Sequence, residues 1–411
     1  MSRWRRLGIL LALAVVVSAP AAQPRAAADP ILILVSFDGW RWDYINTQPV
    51  PNLRALAARG VHATELIPSF PSFTFPNHYT IVTGLYPEHH GIVANTIADP
   101  GFPERFTMSA DTARDGRWWQ GEPIWATAIR EGKLAGAMFW PGDEAPIDGM
   151  RPTYWRPFMS TLSSADRVTQ VLDWLALPDD RRPSFAGLYL EEVDHAGHDF
   201  GPDSPELRTA AGHLDAALGQ LLEGVTQLGL ADRTTIVVVS DHGMAAASED
   251  RLIYLDDYLD LEHVDVIEAG ELVQLAPRAG TTAEAIYRGL RGKNPHLTIY
   301  TPDRTPARFH YRDNPRIAPV IGLVDNGWIA TSWEAEAARK WDAKPRRGAH
   351  GYDPRLRDMH GLFVAAGPDL RRGLVARPFA NIHIYDLLCR VLNLTPAPND
   401  GEAAVTRRFF R

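Results

Sequence analysis

Three aspartates follow apolar runs, and two of them have a histidine within four residues. Asp38 follows ILILVSF, Asp194 follows SFAGLYLEEV and Asp241 follows TTIVVVS. His198 comes four residues after Asp194 in DHAGH, so one helical turn or a tight loop points both at the same spot. His242 directly follows Asp241 in SDHGM, and His350 lies in GAHGYDP between Gly348 and Gly351, where a backbone can approach a site closely. A single strand-end aspartate more often caps a turn or a helix. Three of them, with these histidines, point instead to a shared cation site. Oxygen and imidazole donors without thiolate suit Zn²⁺ or Mn²⁺. The one cysteine, Cys389, stands in the apolar run IYDLLCRVLNL and reads as inert core, so any metal must be held by His and carboxylate. Other histidines, such as His62, His213, His263 and His310, read as solvated.

The stretch IPSFPSFTFPNHYTIVTGLYPEHHGIVANT supplies the nucleophile candidate. With Pro76 at a first helical position, Thr74 falls just before a helix that runs to Gly84. Free amides and the positive dipole end there favour an anion. On this segment alone Thr74 is an N-cap, with Ser69 and Ser72 as local competitors. The ligand candidates elsewhere change the weighing, because a threonine hydroxyl on a dication can ionise near neutral pH as bound water does.

The elements that must position these groups are also visible. ILILVSF (31–37) and TTIVVVS (234–240) are continuous β-branched runs, the pattern of strands buried on both faces of a parallel sheet; SFAGLYL (184–190) is a weaker third. Sites in such sheets form outside the carboxyl ends of the strands, where Asp38, Asp194 and Asp241 fall. Helical patterns lie between them: PNLRALAARG, EPIWATAIREG, and SPELRTAAGHLDAALGQLLEGVTQLGL with Leu207, Ala211, Leu214, Leu218, Leu222 and Val225 on one stripe. The alternation predicts an α/β core over 30–250 that resumes over 346–400. From 251 to 345 the texture changes to alternating segments (LVQLAP, LTIYTP, ARFHYR) around one helical pattern, TTAEAIYRGLRG, which predicts a small α+β insertion capping the sheet.

The chain has 411 residues, 45% of them hydrophobic, and a net charge of −8. That excludes disorder, and the acidic field disfavours stable nucleic-acid binding. A phosphate substrate therefore needs a locally cationic site. Arg3, Arg5 and Arg6 precede an apolar run from Leu7 to Val17 and small residues at Ala19, Ala21 and Ala22, the layout of a signal peptide over 1–22. Ser18 and Pro20 stop the run short of the ~20 residues a membrane span requires. An exported chain with one cysteine points to a periplasmic or secreted protein of a bacterial envelope, with no transmembrane segment after signal removal.

Taken together, VSFDGWRWDY, PSFTFPNHYTIVTGLYPEHHGIVANT, FWPGDE, YLEEVDHAGHDFGPDS, VVVSDHGM and GAHGYDP resemble, in order, the nucleotide pyrophosphatase/phosphodiesterase family of the alkaline phosphatase superfamily. The resemblance runs from residue 31 to about 370. It implies an alkaline-phosphatase-like fold, a central mostly parallel sheet with helices on both faces. It also implies two Zn²⁺ (or Mn²⁺) per chain, one on Asp194, His198 and His350 and the other on Asp38, Asp241, His242 and Thr74. The family's phosphate-binding asparagine falls on Asn95. His360 in DMHGLF competes with His350 and ranks below it, because the glycine-flanked motif is the family's. Two departures stand out: Pro354 replaces the usual Asn after the Asp of GYD, and EEV precedes Asp194 where many relatives have EEP.

The implied chemistry is hydrolysis of phosphodiester or pyrophosphate bonds in small-molecule nucleotides. Thr74 attacks phosphorus, a phospho-threonine forms, and Asn95 and the amide after Thr74 hold the non-bridging oxygens. Monoester-cleaving relatives carry extra cations where this chain reads MFWPGDEAP, which favours diesters. Phe75 and Tyr189 are similar to family positions that form a nucleobase slot. The rivals are a phosphomonoesterase and a phosphocholine or lipid phosphodiesterase, and from a different class a non-catalytic metal-binding protein. An arylsulfatase fits poorly, since Cys389 is far from the nucleophile position.

Overall fold

The computed structural model describes residues 29–108, 111–339 and 345–411. The expected signal peptide, 1–22, lies outside the described residues. Eight strands form one sheet. They are β1 (Ile31–Phe37), β2 (Val61–Ile67), β3 (Ala135–Met138), β4 (Phe185–Leu190), β5 (Thr234–Val239), β6 (Gly361–Ala366), β7 (Leu374–Ala376) and β8 (Phe379–Ala380). The order is β7-β2-β6-β5-β1-β4-β3, with β8 also on β2. β1 pairs in parallel with both β4 and β5, while β6 runs antiparallel to β5 and β2. The sheet is thus mixed but mostly parallel, the alkaline-phosphatase-like arrangement.

Every residue of β1 and β5 is buried, which is why both read as continuous apolar runs. Leu32 and Leu34 enter one hydrophobic cluster, while Ile31, Ile33 and Val35 enter the cluster on the opposite face. Helices α1 (Pro51–Ala58), α2 (Thr74–Thr83), α3 (Glu192–Phe200) and α4 (Pro205–Gln227) cover these faces. On α4, Leu207, Ala211, Leu214, Leu218 and Val225 are buried as the stripe requires, and Ser204 caps the amide of Leu207. β2 and β3 carry no periodic signal strong enough to mark them: β2 mixes His, Thr and Glu into its alternation, and β3 is the short AGAM.

Between Val264 and Val324 a four-stranded antiparallel sheet forms from Val264–Glu268, Leu272–Pro277, Val320–Val324 and Leu297–Tyr300, in that spatial order. The helix Ala283–Leu290 packs on it. ARFHYR, expected as an alternating strand, is instead a 3₁₀ turn at Ala307–Phe309 with His310 at φ 46°. Tertiary anchors override the alternation there: Arg308 pairs with Asp353, and the buried Tyr311 hydroxyl donates to Val93 O. α2 also begins two residues earlier than expected. Thr74 is its first residue and Pro76 sits inside the first turn, where a missing N–H costs nothing.

Candidate active site

The carboxyl ends of β1, β4 and β5 lie side by side and deliver the three aspartates to one edge. Asp38 leaves β1 into a tight turn, where Gly39 has φ +67° and donates its N–H to Asp241 Oδ1 at 3.2 Å. A Cβ on Gly39 would come within 2.9 Å of Asp194 Cα, so this turn and α3 meet only because the residue is glycine. Asp194 and His198 stand one turn apart on α3, with Asp194 Oδ1 3.5 Å from His198 Nε2. His350 arrives from the far side of the chain, its Nε2 3.7 Å from Asp194 Oδ1 and 3.1 Å from His198 Nε2. His242 Nε2 lies 2.9 Å from Asp241 Oδ2, 3.5 Å from Asp38 Oδ1 and 3.3 Å from Thr74 Oγ1.

The imidazoles share one tautomer. Nδ1 of His242 faces Gly243 O at 2.9 Å, Nδ1 of His198 faces Gly348 O at 2.9 Å and Nδ1 of His350 faces Ser72 O at 3.0 Å. A carbonyl at Nδ1 places the proton there and turns the Nε2 lone pair toward the shared space, the arrangement of metal-bound histidines. At His198 and His350 the lone pairs then confront one another, Nε2 against Nε2 at 3.1 Å. Asp38 Oδ1, Asp194 Oδ1 and Asp241 Oδ2 are buried with no hydrogen-bond partner among the described residues. Buried carboxylates in that condition are costly, and divalent cations among them would relieve the cost. The donor atoms fit such ions: those of Asp194, His198 and His350 lie within 4.8 Å of one another, as do those of Asp38, Asp194 and His242, and of Asp38, His78 and Asp241. Asp194 thus stands in two sets, where one was expected.

The charges respond accordingly. Burial pushes the Asp38 carboxyl well above its ordinary value, and the neighbouring Asp241 and Asp194 push the same way. Burial pushes Asp241 up too, but His242 and His78 outweigh it and hold that carboxyl well below the usual range. At His242 burial acts downward and is outweighed by Asp241, so the imidazole is raised. Burial, with His242 and His198, holds His350 well below its usual value.

The other hydroxyls of the loop are engaged. Ser69 Oγ donates to Asn381 Oδ1 and Ser72 Oγ to Tyr352 O, both at 2.9 Å, while Thr74 Oγ1 faces the cluster. Asn95 Oδ1 accepts from Phe75 N at 3.2 Å. The amide expected to hold a non-bridging oxygen is therefore engaged by Asn95, which itself lines a cavity that opens on Thr74. His360 points elsewhere, with Nδ1 2.5 Å from Glu65 Oε2 and Nε2 2.9 Å from Pro354 O. His213 and His263 are exposed, and His310 stacks on Tyr86, but His62 is half-buried in β2 and burial lowers its pKa.

Sequence reasoning missed His78. Its Nδ1 lies 2.8 Å from Thr74 O, its Nε2 2.8 Å from Ser36 Oγ, and its ring packs edge-on against Tyr189 and Trp140. It buttresses the first turn of α2 against β1, and its place four residues after Thr74 was the available signal. Tyr189 also does more than line a slot: its hydroxyl donates to Asp38 Oδ2 at 2.5 Å.

Two cavities open on Thr74 and Asp194. One of about 560 Å³ is walled by Phe75, Trp140, Tyr189 and Phe139. The cation at its rim, Arg114, is paired with Glu144 at 2.9 Å and was not foreseen. The other, about 490 Å³, is lined by Asn95, His198, His350, Glu268 and Glu271. Burial pushes the Glu268 carboxyl up to about 7.

Comparison with known proteins agrees in family and fold. Residues 32–353 match the family described as "Type I phosphodiesterase / nucleotide pyrophosphatase". The chain is 37% identical over 372 residues to human ectonucleotide pyrophosphatase/phosphodiesterase family member 5, spanning 90% of this chain and 76% of that protein. It is 40% identical over 381 residues to an uncharacterized pyrophosphatase/phosphodiesterase of Schizosaccharomyces pombe, spanning 90% and 78%. The structure of murine family member 5, an inactive threonine-to-alanine variant in complex with AMP, superposes with a TM-score of 0.87 at 36% identity, covering 93% of this chain and all of that one.

Proposed function

Because this chain belongs to the type I phosphodiesterase/nucleotide pyrophosphatase family of enzymes, we propose that it hydrolyses phosphodiester or pyrophosphate bonds of nucleotides through Thr74. The observation that carries this reading is the position of Thr74 Oγ1. It lies 3.3 Å from His242 Nε2, beside three buried carboxylates with unpartnered oxygens, at the junction of both cavities. The inactive threonine variant and the AMP of the murine relative support the same assignment.

Asp194, His198 and His350 would hold one dication, and Asp38, Asp241, His242 and Thr74 the other, zinc fitting the donor set best. Bound there, such ions supply positive charge that lowers the proton affinity of a hydroxyl and stabilises the transferring phosphoryl group. The remaining work belongs to the chain. Phe75 and Tyr189 receive the nucleobase, a stacking contact of ~1–3 kcal/mol per base. Asn95 Nδ2 donates to a non-bridging oxygen, where negative charge grows in the transition state. As Oγ1 of Thr74 bonds to phosphorus, its proton passes to solvent and the bond to the leaving oxygen breaks, its electron pair departing with that oxygen. Water then attacks the phospho-threonine, the P–Oγ1 bond breaks, and Thr74 regains its proton. His78 holds the first turn of α2, and Tyr189 fixes the rotamer of Asp38.

The segment 251–345 acts as a cap, and the N-terminus directs export to a periplasm or the exterior. Among the described residues no helix is long and apolar enough to cross a membrane. The deciding experiment measures kcat/KM on an aryl nucleotide diester and on the matching aryl phosphate monoester, with and without chelator. A chelator-sensitive preference for the diester is expected. Preference for the monoester would overturn the reading in favour of a phosphomonoesterase, with Arg114 the first cation to test. No turnover on either would favour a metal-binding protein.

A further inference from the structure

An in-line displacement places the leaving oxygen opposite the attacking one, so the leaving group needs space of its own besides that of the nucleoside. The aromatic cavity of Phe75, Trp140 and Tyr189 suits a nucleoside. The second cavity is lined by His198 and His350 and by none of those rings, and Glu268 and Glu271 of the antiparallel sheet form part of its wall. Glu268, at the end of Val264–Glu268, and Glu271, just before Leu272–Pro277, both line it. Glu268 is fixed in place, its Oε2 accepting from the N–H of Thr96, the neighbour of Asn95, at 2.9 Å. The buried, unpartnered Oδ1 belongs to Asp194, which lines the same space. Among the described residues lining this cavity there is no Lys or Arg.

Resting on the reading above, we infer that this cavity is the leaving-group subsite and that Glu268 and Glu271 make it select neutral or cationic leaving groups over polyphosphate. A pyrophosphate leaving group brings at least two negative charges into a space where the two glutamates already offset the dication that Asp194, His198 and His350 would hold. A phosphate ester ending in a quaternary ammonium sets one positive charge against its single negative one and so adds no net charge in the bound substrate. Like-charge contact in a partly desolvated cavity costs far more than in water, and the opposite contact is correspondingly favourable. Both leaving groups present the same reacting phosphorus, so the difference lies only in what the second cavity accepts. This reading gives the antiparallel insertion a chemical task beyond covering the site.

The test compares two cytidine nucleotides that differ only in leaving group: the diphosphate ester of choline, which releases phosphocholine, and the triphosphate, which releases pyrophosphate. Assays run without added magnesium at about pH 8.5, because burial pushes the Glu268 carboxyl up to about 7 and raises that of Glu271 as well. The wild-type protein is expected to favour the choline ester by about tenfold or more in kcat/KM, and Glu268→Gln with Glu271→Gln to erase that ratio. Gln at 268 retains an acceptor for Thr96 N–H. Should the double variant fail to fold, Glu271→Gln alone is expected to move the ratio about threefold. A wild-type preference for the triphosphate, or a ratio unmoved by the variants, overturns the inference. Wild-type turnover of the aryl nucleotide diester is measured alongside: its absence would fault the phosphodiesterase reading itself, while its presence with an unmoved ratio faults only the leaving-group assignment.

Discussion

At Thr74 a hydroxyl of ordinary chemistry is made reactive by what surrounds it, and the variants at this scale separate reactivity from ligation. Thr74→Ala removes the attacking oxygen but leaves the carboxylates and imidazoles in place. Turnover is expected to fall by ~10³-fold or more while metal content, read by elemental analysis, is retained. Asp241→Asn removes charge from the carboxylate that contacts both His242 and the Gly39 amide. Elemental analysis should show it losing at least one ion; two tightly held ions would contradict the ligand assignment. His78 acts through the Thr74 carbonyl, Ser36 and the Asp241 carboxylate, whose Oδ2 lies 3.4 Å from its Nδ1. His78→Ala is expected to lower kcat by about tenfold with KM nearly unchanged, and His78→Asn to recover part of the loss. A loss confined to KM would reassign the residue.

The elements convey these groups to one place because parallel strands end on the same edge. β1, β4 and β5 are adjacent, so three residues far apart in sequence become neighbours without any local signal between them. Where elements meet closely, glycine sets the distance. Gly351 has φ +115°, and a Cβ there would lie 2.2 Å from the Phe73 ring. Gly351→Ala must move either His350 or the residue before Thr74. It should cost about 1–3 kcal/mol of stability and weaken metal affinity in a chelator competition titration. Unchanged affinity would mean that the loop carrying His350 tolerates displacement.

For the whole molecule, the site is a liability without its ions, since the Asp38, Asp194 and Asp241 carboxylates repel one another in a buried space. Chelation is expected to lower Tm by about 5 °C or more and added Zn²⁺ to restore it, because ions that bind only the folded chain stabilise it by mass action. Acid acts elsewhere as well. His90 is fully buried, accepts from Ile92 N at 3.2 Å, and is pushed by burial down to a pKa of about 3. Its folded pKa lies below the unfolded value, so the unfolded chain binds the proton first. Stability from this group is complete above the ordinary histidine pKa and is lost as pH falls from there toward about 3, on the order of 5 kcal/mol in all. His90→Gln should flatten the acid limb of a denaturation-versus-pH series in that window; an unchanged limb would place the proton uptake elsewhere.

Runs such as ILILVSF and TTIVVVS were legible as doubly buried strands because burial on both faces leaves a continuous apolar string, a property of the segment itself. The aspartates at their ends, the DHAGH turn and the glycine-flanked His350 were legible for the same local reason. β2, β3 and the 3₁₀ turn at Ala307–Phe309 were not, since their conformations are chosen by partners such as β6, β4 and Asp353. The sequence by itself thus determined which residue types stand at strand ends and in what order. Only the tertiary structure decided that Ser72 O orients His350 from 278 positions away, that His198 and His350 meet across 152, and that Glu268 and Glu271 face the site. Contacts at such separations carry no periodicity along the chain; they exist only once the sheet has brought its ends together.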